Sequence, residues 1–223
     1  MRSLPLPLAL AARLSPVVVL ACAGWALSSS PAAPEDTAAQ GDTGQRTQSE
    51  PGDAPATPTA TKAYAAAPAP CGSVPVATVT SLVPGAKTAG KEIPSTDTKI
   101  RRTCSWNALK GFDYRWLDVS FEIMDTEDAA AKSYKARVGE KSGGGVVPGL
   151  GDEAYSVVNL TTEDKQQTRE GVVFARASNA IVIVTYNGSD FESKKAPDTS
   201  TINTGAIKAA KDAMAALRGS GTG

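Results

Sequence analysis

The run from Ile100 to Met124 constrains this chain more than any other stretch. Ile100, Arg102, Cys104 and Trp106 recur at every second position, and so do Leu117, Val119, Phe121 and Ile123. Lys110-Gly111-Phe112 lies between the two series. A period of two on both sides of a glycine turn predicts an antiparallel hairpin with one buried face. Leu117, Val119, Phe121 and Ile123 are expected to point inward, and Asp118, Ser120 and Glu122 toward water. The rest of the fold has to be built around this hairpin.

On its N-terminal side, Ser73 is expected to cap a short helix through Val76, Val79, Leu82 and Val83, which Pro84-Gly85 stops. On its C-terminal side, Thr126 with Glu127 and Asp128 predicts a capped helix whose core face is Ala130, Ala131, Tyr134 and Val138. A glycine-rich segment ending at Gly151 follows. Strands are expected over about 153–160, 171–177 and 180–187, the last two joined by Ser178-Asn179. A final helix over about 200–217 carries a stripe of Ile202, Ala206, Ala209, Ala210, Ala213 and Leu217. This order predicts an α+β fold: an antiparallel sheet of about five strands with helices packed on one face, a two-layer sandwich. Its domain is expected over 70–218, with 219–223 a flexible tail.

Before that domain the chain has a different character. Met1-Arg2, Arg13 and the apolar run from Leu14 to Ala21 read as an export signal, 1–21. The run ends Val19-Leu20-Ala21-Cys22, which resembles the box at which bacterial lipoproteins are cleaved and lipidated. On this reading Cys22 carries the lipid and anchors the protein to the membrane. A peptidase cut after Ala26-Leu27-Ser28 would instead release a secreted protein, and an uncleaved membrane anchor is a third arrangement. From residue 22 to 69, Ala, Pro, Thr, Ser, Gly, Gln and acids dominate. Such a composition buries too little apolar surface to offset ordering entropy, so a disordered tether is expected.

With Cys22 assigned to lipid, two cysteines remain, Cys71 and Cys104. An even pair in an exported domain is most simply a disulfide. Closing a loop of about 34 residues would contribute on the order of 3–4 kcal/mol. Free thiols or a metal pair are the alternatives, although zinc would lack its usual further ligands because the chain has no histidine.

Cys71 beside a short helix, Cys104-Ser-Trp106, Gly149-Leu-Gly-Asp-Glu-Ala154 and the strand after Ala177 together resemble the DUF3558-type lipoproteins of actinobacteria. Pro84-Gly85 and Asp113-Tyr-Arg-Trp-Leu-Asp-Val-Ser120 are similar to the streptomycete members. The resemblance runs from about Cys71 to Leu217. It implies a cell-envelope domain of unknown molecular function and transfers no catalytic residue; Cys71 and Cys104 match the paired cysteines of the family.

Composition excludes some chemistry. Net charge is zero, which gives no footprint for nucleic acid. The absence of histidine removes the commonest general base and metal ligand. No cofactor or metal is expected. Asp152 and Glu153 are adjacent, and strand neighbours should point apart, so they are not read as a hydrolytic pair. Gly149-x-Gly151-x-x-Ala154 is not read as a dinucleotide motif, because it opens a strand and not a helix. The basic run Lys99-Ile-Arg-Arg102 fits solvated strand positions, or a contact with anionic headgroups or wall polymer.

Tyr114 and Trp116 fall on the hairpin face expected to be exposed, where aromatics can form a binding platform with Asn107 and Arg115 at its polar edge. The alternative is a bulge near Arg115, or a covering loop, that hides both rings. The functional expectation is a non-enzymatic, monomeric binding domain on the outer face of the cell membrane. Its partner would be an envelope protein, a wall polymer or a small ligand. An accessory subunit of a membrane complex, or a hydrolase using carboxylate or serine, are the rival classes.

Overall fold

The computed structural model describes residues 62–221. The expected signal, the lipidation site Cys22 and the tether up to residue 61 lie outside them. The described elements are a 3-10 turn Pro70–Gly72, α1 (Val76–Leu82), β1 (Lys91–Ile93), β2 (Arg101–Lys110), β3 (Asp113–Ile123), α2 (Glu127–Gly139), β4 (Gly145–Val146), β5 (Glu153–Glu163), β6 (Gln166–Ala177), β7 (Ala180–Asp190) and α3 (Thr199–Gly219).

The strands form one seven-stranded sheet in the order β1-β2-β3-β7-β6-β5-β4, with every neighbouring pair antiparallel. The expected α+β class and antiparallel sheet are therefore present. The expected count of about five strands falls short by the two edge strands. β1 and β4 have three and two residues, none buried, so neither carries a hydrophobic alternation that a sequence pattern could reveal.

The expectation that helices pack on one face is corrected. α3 lies on one face, its Ile202, Ala206, Ala209, Ala210, Ala213, Met214 and Leu217 buried with Leu117, Val119, Val173, Ala175, Val182 and Val184. α1 contributes Val79 and Leu82 to the same core. α2 lies on the other face, where Ala130 and Tyr134 pack with Val157, Val172, Phe174 and Ile181. The sheet is thus covered on both sides over β5, β6 and β7. The physical reason is written in the strands. Val172 to Ala175 and Ala180 to Val184 are unbroken apolar runs, the mark of strands buried on both faces.

Thr126 caps α2 as expected, its hydroxyl accepting the Ala129 N–H at 3.1 Å. Ser73 does not cap α1. It closes the 3-10 turn, donating its hydroxyl to the Pro70 carbonyl at 2.6 Å, and α1 starts after Pro75. Pro75 is the N-cap residue: its carbonyl accepts the Thr78 N–H at 2.9 Å and the Val79 N–H at 3.0 Å, and no side chain caps the helix.

Cys71 and Cys104 form the expected disulfide, with Cα atoms 5.1 Å apart. Cys104 and Trp106 are both buried, and the Trp106 indole donates to the Thr88 carbonyl at 3.0 Å. Gly90 is pressed against them at φ +66°. A Cβ there would stand 2.6 Å from the Cys104 sulfur and 2.6 Å from Trp106 Nε1, so only glycine suits the position.

The domain boundary at residue 70 is also moved. Lys62 to Ala69, assigned to the tether, runs along the domain. Asn179, in the hairpin turn, accepts from the Tyr64 N–H at 2.9 Å and donates to the Tyr64 carbonyl at 2.9 Å. It donates to the Met124 carbonyl at 2.9 Å as well. One buried amide thereby holds three backbone groups, and Ala67 is buried beside it in the core.

Candidate functional site

β3 pairs without interruption from Asp113 to Ile123, with β2 on one side and β7 on the other. No bulge intervenes at Arg115, so the alternation holds throughout. Leu117, Val119 and Phe121 face α3, while Tyr114, Trp116, Asp118 and Ser120 face the α2 side. α2 covers only the half of that side nearer the Ser178-Asn179 turn, because its partners are Phe174, Ile181, Val172 and Val157. Among the described residues, no helix covers the other half, nearer the β2–β3 turn.

The strand register assembles this helix-free half. Asn107 on β2, Trp116 on β3, Asn187 on β7, Glu170 on β6 and Asn159 on β5 form one row across the sheet. Ser105, Asp118 and Thr185 form the next row, which meets the α2-covered half at Val172. Leu109, Tyr114 and Ser189 form the row below.

Trp116 is 38% exposed, the middle of the face. Its indole N–H is shared between Ser105 Oγ at 2.8 Å and Asp118 Oδ1 at 2.7 Å. The polar edge of the ring is therefore tied to the sheet, and the surface left to solvent is its hydrocarbon surface. Tyr114 is half-buried, with its ring 6.0 Å from that of Phe191 and inclined at 28°. Burial, and secondarily the charge of Asp118, push the Tyr114 phenol above its ordinary pKa, so it stays a neutral donor.

Of the four residues expected to form a platform, Asn107, Tyr114 and Trp116 share this face. Arg115 does not. It projects to the α3 side, pairs with the Asp113 carboxylate and donates to the Tyr114 carbonyl at 3.1 Å. Gly188 lies opposite it, and a Cβ there would meet Arg115 Nη1 at 2.5 Å. Sequence alone does not bring Asn187, Glu170 or Phe191 to the site. Their placement depends on β3 pairing with a strand more than sixty residues later.

A shallow depression of about 620 Å³ adjoins the face. Ile93, Pro94, Ile100, Arg101, Thr103 and Asp118 are among the residues that line it. Asp118 belongs to both features, since its carboxylate also holds the Trp116 indole.

Other charged groups are engaged in structure. Arg176, 8% exposed, is within 3.3 Å of Glu127, 3.3 Å of Asp152 and 3.1 Å of Glu153. Asp152 precedes β5, so strand alternation does not separate it from Glu153; the two converge on one guanidinium. Buried Glu122 receives Arg137 at 2.6 Å and Arg101 at 3.5 Å. Arg102 grips Glu92 through two hydrogen bonds of 2.6 and 2.8 Å. The basic run is thus spent on ion pairs at two of its positions. Gly149 and Gly151 both have positive φ, and a Cβ on Gly151 would collide with the Arg176 carbonyl, so the glycines serve the turn into β5. Among the described residues there is no cluster of three metal-ligating side chains, and no helix is long and apolar enough to cross a membrane.

No protein-family model and no curated protein matches the chain. Among solved structures, a protein from Bacteroides thetaiotaomicron VPI-5482 aligns at 9% identity and a TM-score of 0.32, covering 53% of this chain and 47% of that one. Less than half the length of that protein is spanned, and the likeness is too slight to carry an argument.

Proposed function

We propose that the protein is an extracytoplasmic lipoprotein, anchored at the outer face of the cell membrane through Cys22, and that it presents a non-enzymatic binding domain. Its contact surface is the helix-free half of the sheet around Trp116. The observation that carries this reading is the state of the Trp116 ring, held by two hydrogen bonds and yet open to solvent. An indole fixed by hydrogen bonds at its polar edge, with hydrocarbon surface left in water, is a preformed contact for an apolar partner. Fixing the ring before contact also reduces the entropy lost on binding.

Several features support binding over hydrolysis. The only carboxylates in the two rows around Trp116, Asp118 and Glu170, stand on strands separated by β7. Sheet geometry puts their Cα atoms roughly 12 Å apart. A glycosidase pair flanks its scissile bond across a cleft, and this surface is shallow. The disulfide accords with an oxidising compartment. The resemblance to DUF3558-type lipoproteins belongs to the same proposal, supported by that cysteine pair and by buried Trp106 beside it.

A second reading, an accessory subunit of a membrane complex, draws on the apolar rim of the face. Leu109, Phe112 and Phe191 are 57%, 55% and 46% exposed. Two measurements test the reading. Cys22→Ala is expected to move the protein from the membrane to the soluble fraction, and an unchanged distribution rejects the lipid anchor. The full chain is expected to be retained by an isolated envelope fraction, and Trp116→Ala to lose that retention; equal retention of both rejects the face.

A further inference from the structure

We infer that the Trp116 face takes an uncharged oligosaccharide, one sugar stacking on the indole while Asn107, Asn187, Asp118 and Glu170 meet its hydroxyls. This rests on the reading of that face as the binding surface, and it names the chemistry of the ligand.

The argument starts from which polar groups are already spent. Buried Asn179 holds three backbone groups, and Asn203 is bonded to Ser156. Asn107 and Asn187 flank Trp116 on either side and make no side-chain hydrogen bond to a described residue. Each offers an N–H₂ donor and a carbonyl acceptor. Asp118 and Glu170 make no ion pair among the described residues. Ionised carboxylates only accept, so they call for donors. A sugar supplies this mixture: hydroxyls that donate and accept, set around a ring whose C–H face is apolar enough to lie on an indole.

Charge narrows the class. The rows through Trp116 and Asp118 hold two carboxylates, and their only cation is Lys91 at the edge beside Ser105. A phosphate- or uronate-bearing polymer would meet repulsion at the centre of the face. Asp118 and Glu170 stand on strands separated by β7, so the hydroxyls along a sugar chain can meet them one at a time. An added peptide strand is excluded by topology. β3, β7 and β6 are interior strands whose backbone groups are paired on both sides, so no edge is on offer. Recognition here runs through side chains alone. The depression at Asp118 lets a chain of sugars continue past the indole toward Ile93 and Ile100, where Asp97 and Arg101, the latter paired with Glu122, also line it.

The test is titration of the full-length protein with cello-, xylo-, manno- and N-acetylglucosamine oligosaccharides, beside polygalacturonate and chitosan as charged probes. Retention on immobilised ligand and tryptophan fluorescence are the readouts. At least one uncharged member is expected to bind with little dependence on salt. Trp116→Ala should weaken it by about tenfold or more, Asn187→Ala by several-fold, and Trp116→Phe by less than the alanine variant because a ring remains. Near-ultraviolet circular dichroism establishes that each variant is folded. Should Trp116→Ala fail to fold, Trp116→Phe and Asn187→Ala carry the comparison. The proposal is overturned if no uncharged oligosaccharide binds, if only a charged probe binds, or if folded variants bind as the parent does. Envelope retention that still needs Trp116 while every uncharged oligosaccharide fails would sink the sugar and keep the binding face. Envelope retention indifferent to Trp116 would sink both.

Discussion

The two halves of the sheet face opposite α3 are made by the same strands and differ in almost everything else. In the half under α2, Phe174, Ile181 and Val172 are buried, Glu122 is paired with two arginines, and Arg176 with three carboxylates. In the other half, Trp116 and Asn107 are exposed, and Asp118 and Glu170 have no cation bound. The first half has its polar groups consumed internally and behaves as core. The second keeps donors, acceptors and a ring surface in reserve. Function is sought where the fold leaves its valences unsatisfied, and the contrast places it within one continuous surface.

The sharpest way to break this comparison is to cut an aromatic ring from each half. Phe174→Ala removes a ring that is 5% exposed beneath α2, and should cost about 3–5 kcal/mol by lost burial and a cavity. Trp116→Ala removes a larger ring but one already 38% exposed, and should cost clearly less. Urea unfolding of the two variants decides the matter. Equal losses would mean that the Trp116 half is core as well.

The next effect concerns both halves, because it acts through the unfolded chain. The Cys71–Cys104 bridge closes a separation of 33 residues. Replacing both cysteines by serine should lower stability by about 3 kcal/mol. Thiol titration of the denatured, unreduced protein checks the premise, since two reactive thiols from Cys71 and Cys104 would contradict the bridge.

How much of this was legible beforehand follows from the range of each interaction. The hairpin of β2 and β3 could be read from alternation and one turn, and the cap at Thr126 from three adjacent residues. The cysteine pair needed only arithmetic and compartment. Element order does not say on which face a crossover lies, so it leaves the position of α2 open. The continuous apolar runs in β6 and β7 did say so, since strands covered on one face alone should alternate as β3 does. Asn107, Tyr114 and Trp116 were legible as a set from strand parity. Arg115 adjoins Tyr114 and Trp116 in the chain, but the same parity puts it on the opposite face. Asn187 and Glu170 could not be placed, because their meeting with Trp116 depends on β3 pairing with β7, a contact no local pattern encodes.

Alkaline titration compares the regions through their tyrosines. Burial raises the phenol pKa of Tyr186, Tyr134 and Tyr114, in the α3 core, beneath α2 and on the open half respectively. A raised pKa means that the folded state holds its proton after the unfolded chain has released it. Stability is therefore intact below the ordinary tyrosine value of about 10 and falls as pH rises beyond it. Melting temperature should decline through that range, and phenolate absorbance should lag behind that of the denatured chain. Tyr186 is 3% exposed and donates to the Leu82 carbonyl at 2.8 Å, so Tyr186→Phe should remove part of the alkaline loss. The same exchange at half-exposed Tyr114 should remove less.

The smallest expected effect separates fold from function most cleanly. Asn187 is half-buried beside Trp116 and bonds to no described side chain or backbone group through its amide. Asn179 is its counterpart in the tight turn, and there the amide holds Tyr64 and Met124. Asn179→Ala removes the partner of three backbone groups, at half-buried Tyr64 and Met124, and should be costly. Asn187→Ala strands none and should shift stability by no more than about 0.5 kcal/mol. A residue that contributes so little to folding has no structural reason to be an amide at the centre of a β-sheet, where asparagine is disfavoured. Retention on the envelope fraction should therefore drop in Asn187→Ala while its unfolding curve overlays that of the parent. If unfolding shifts as far as it does for Asn179→Ala, the amide is serving the fold and the open half is less open than its register suggests.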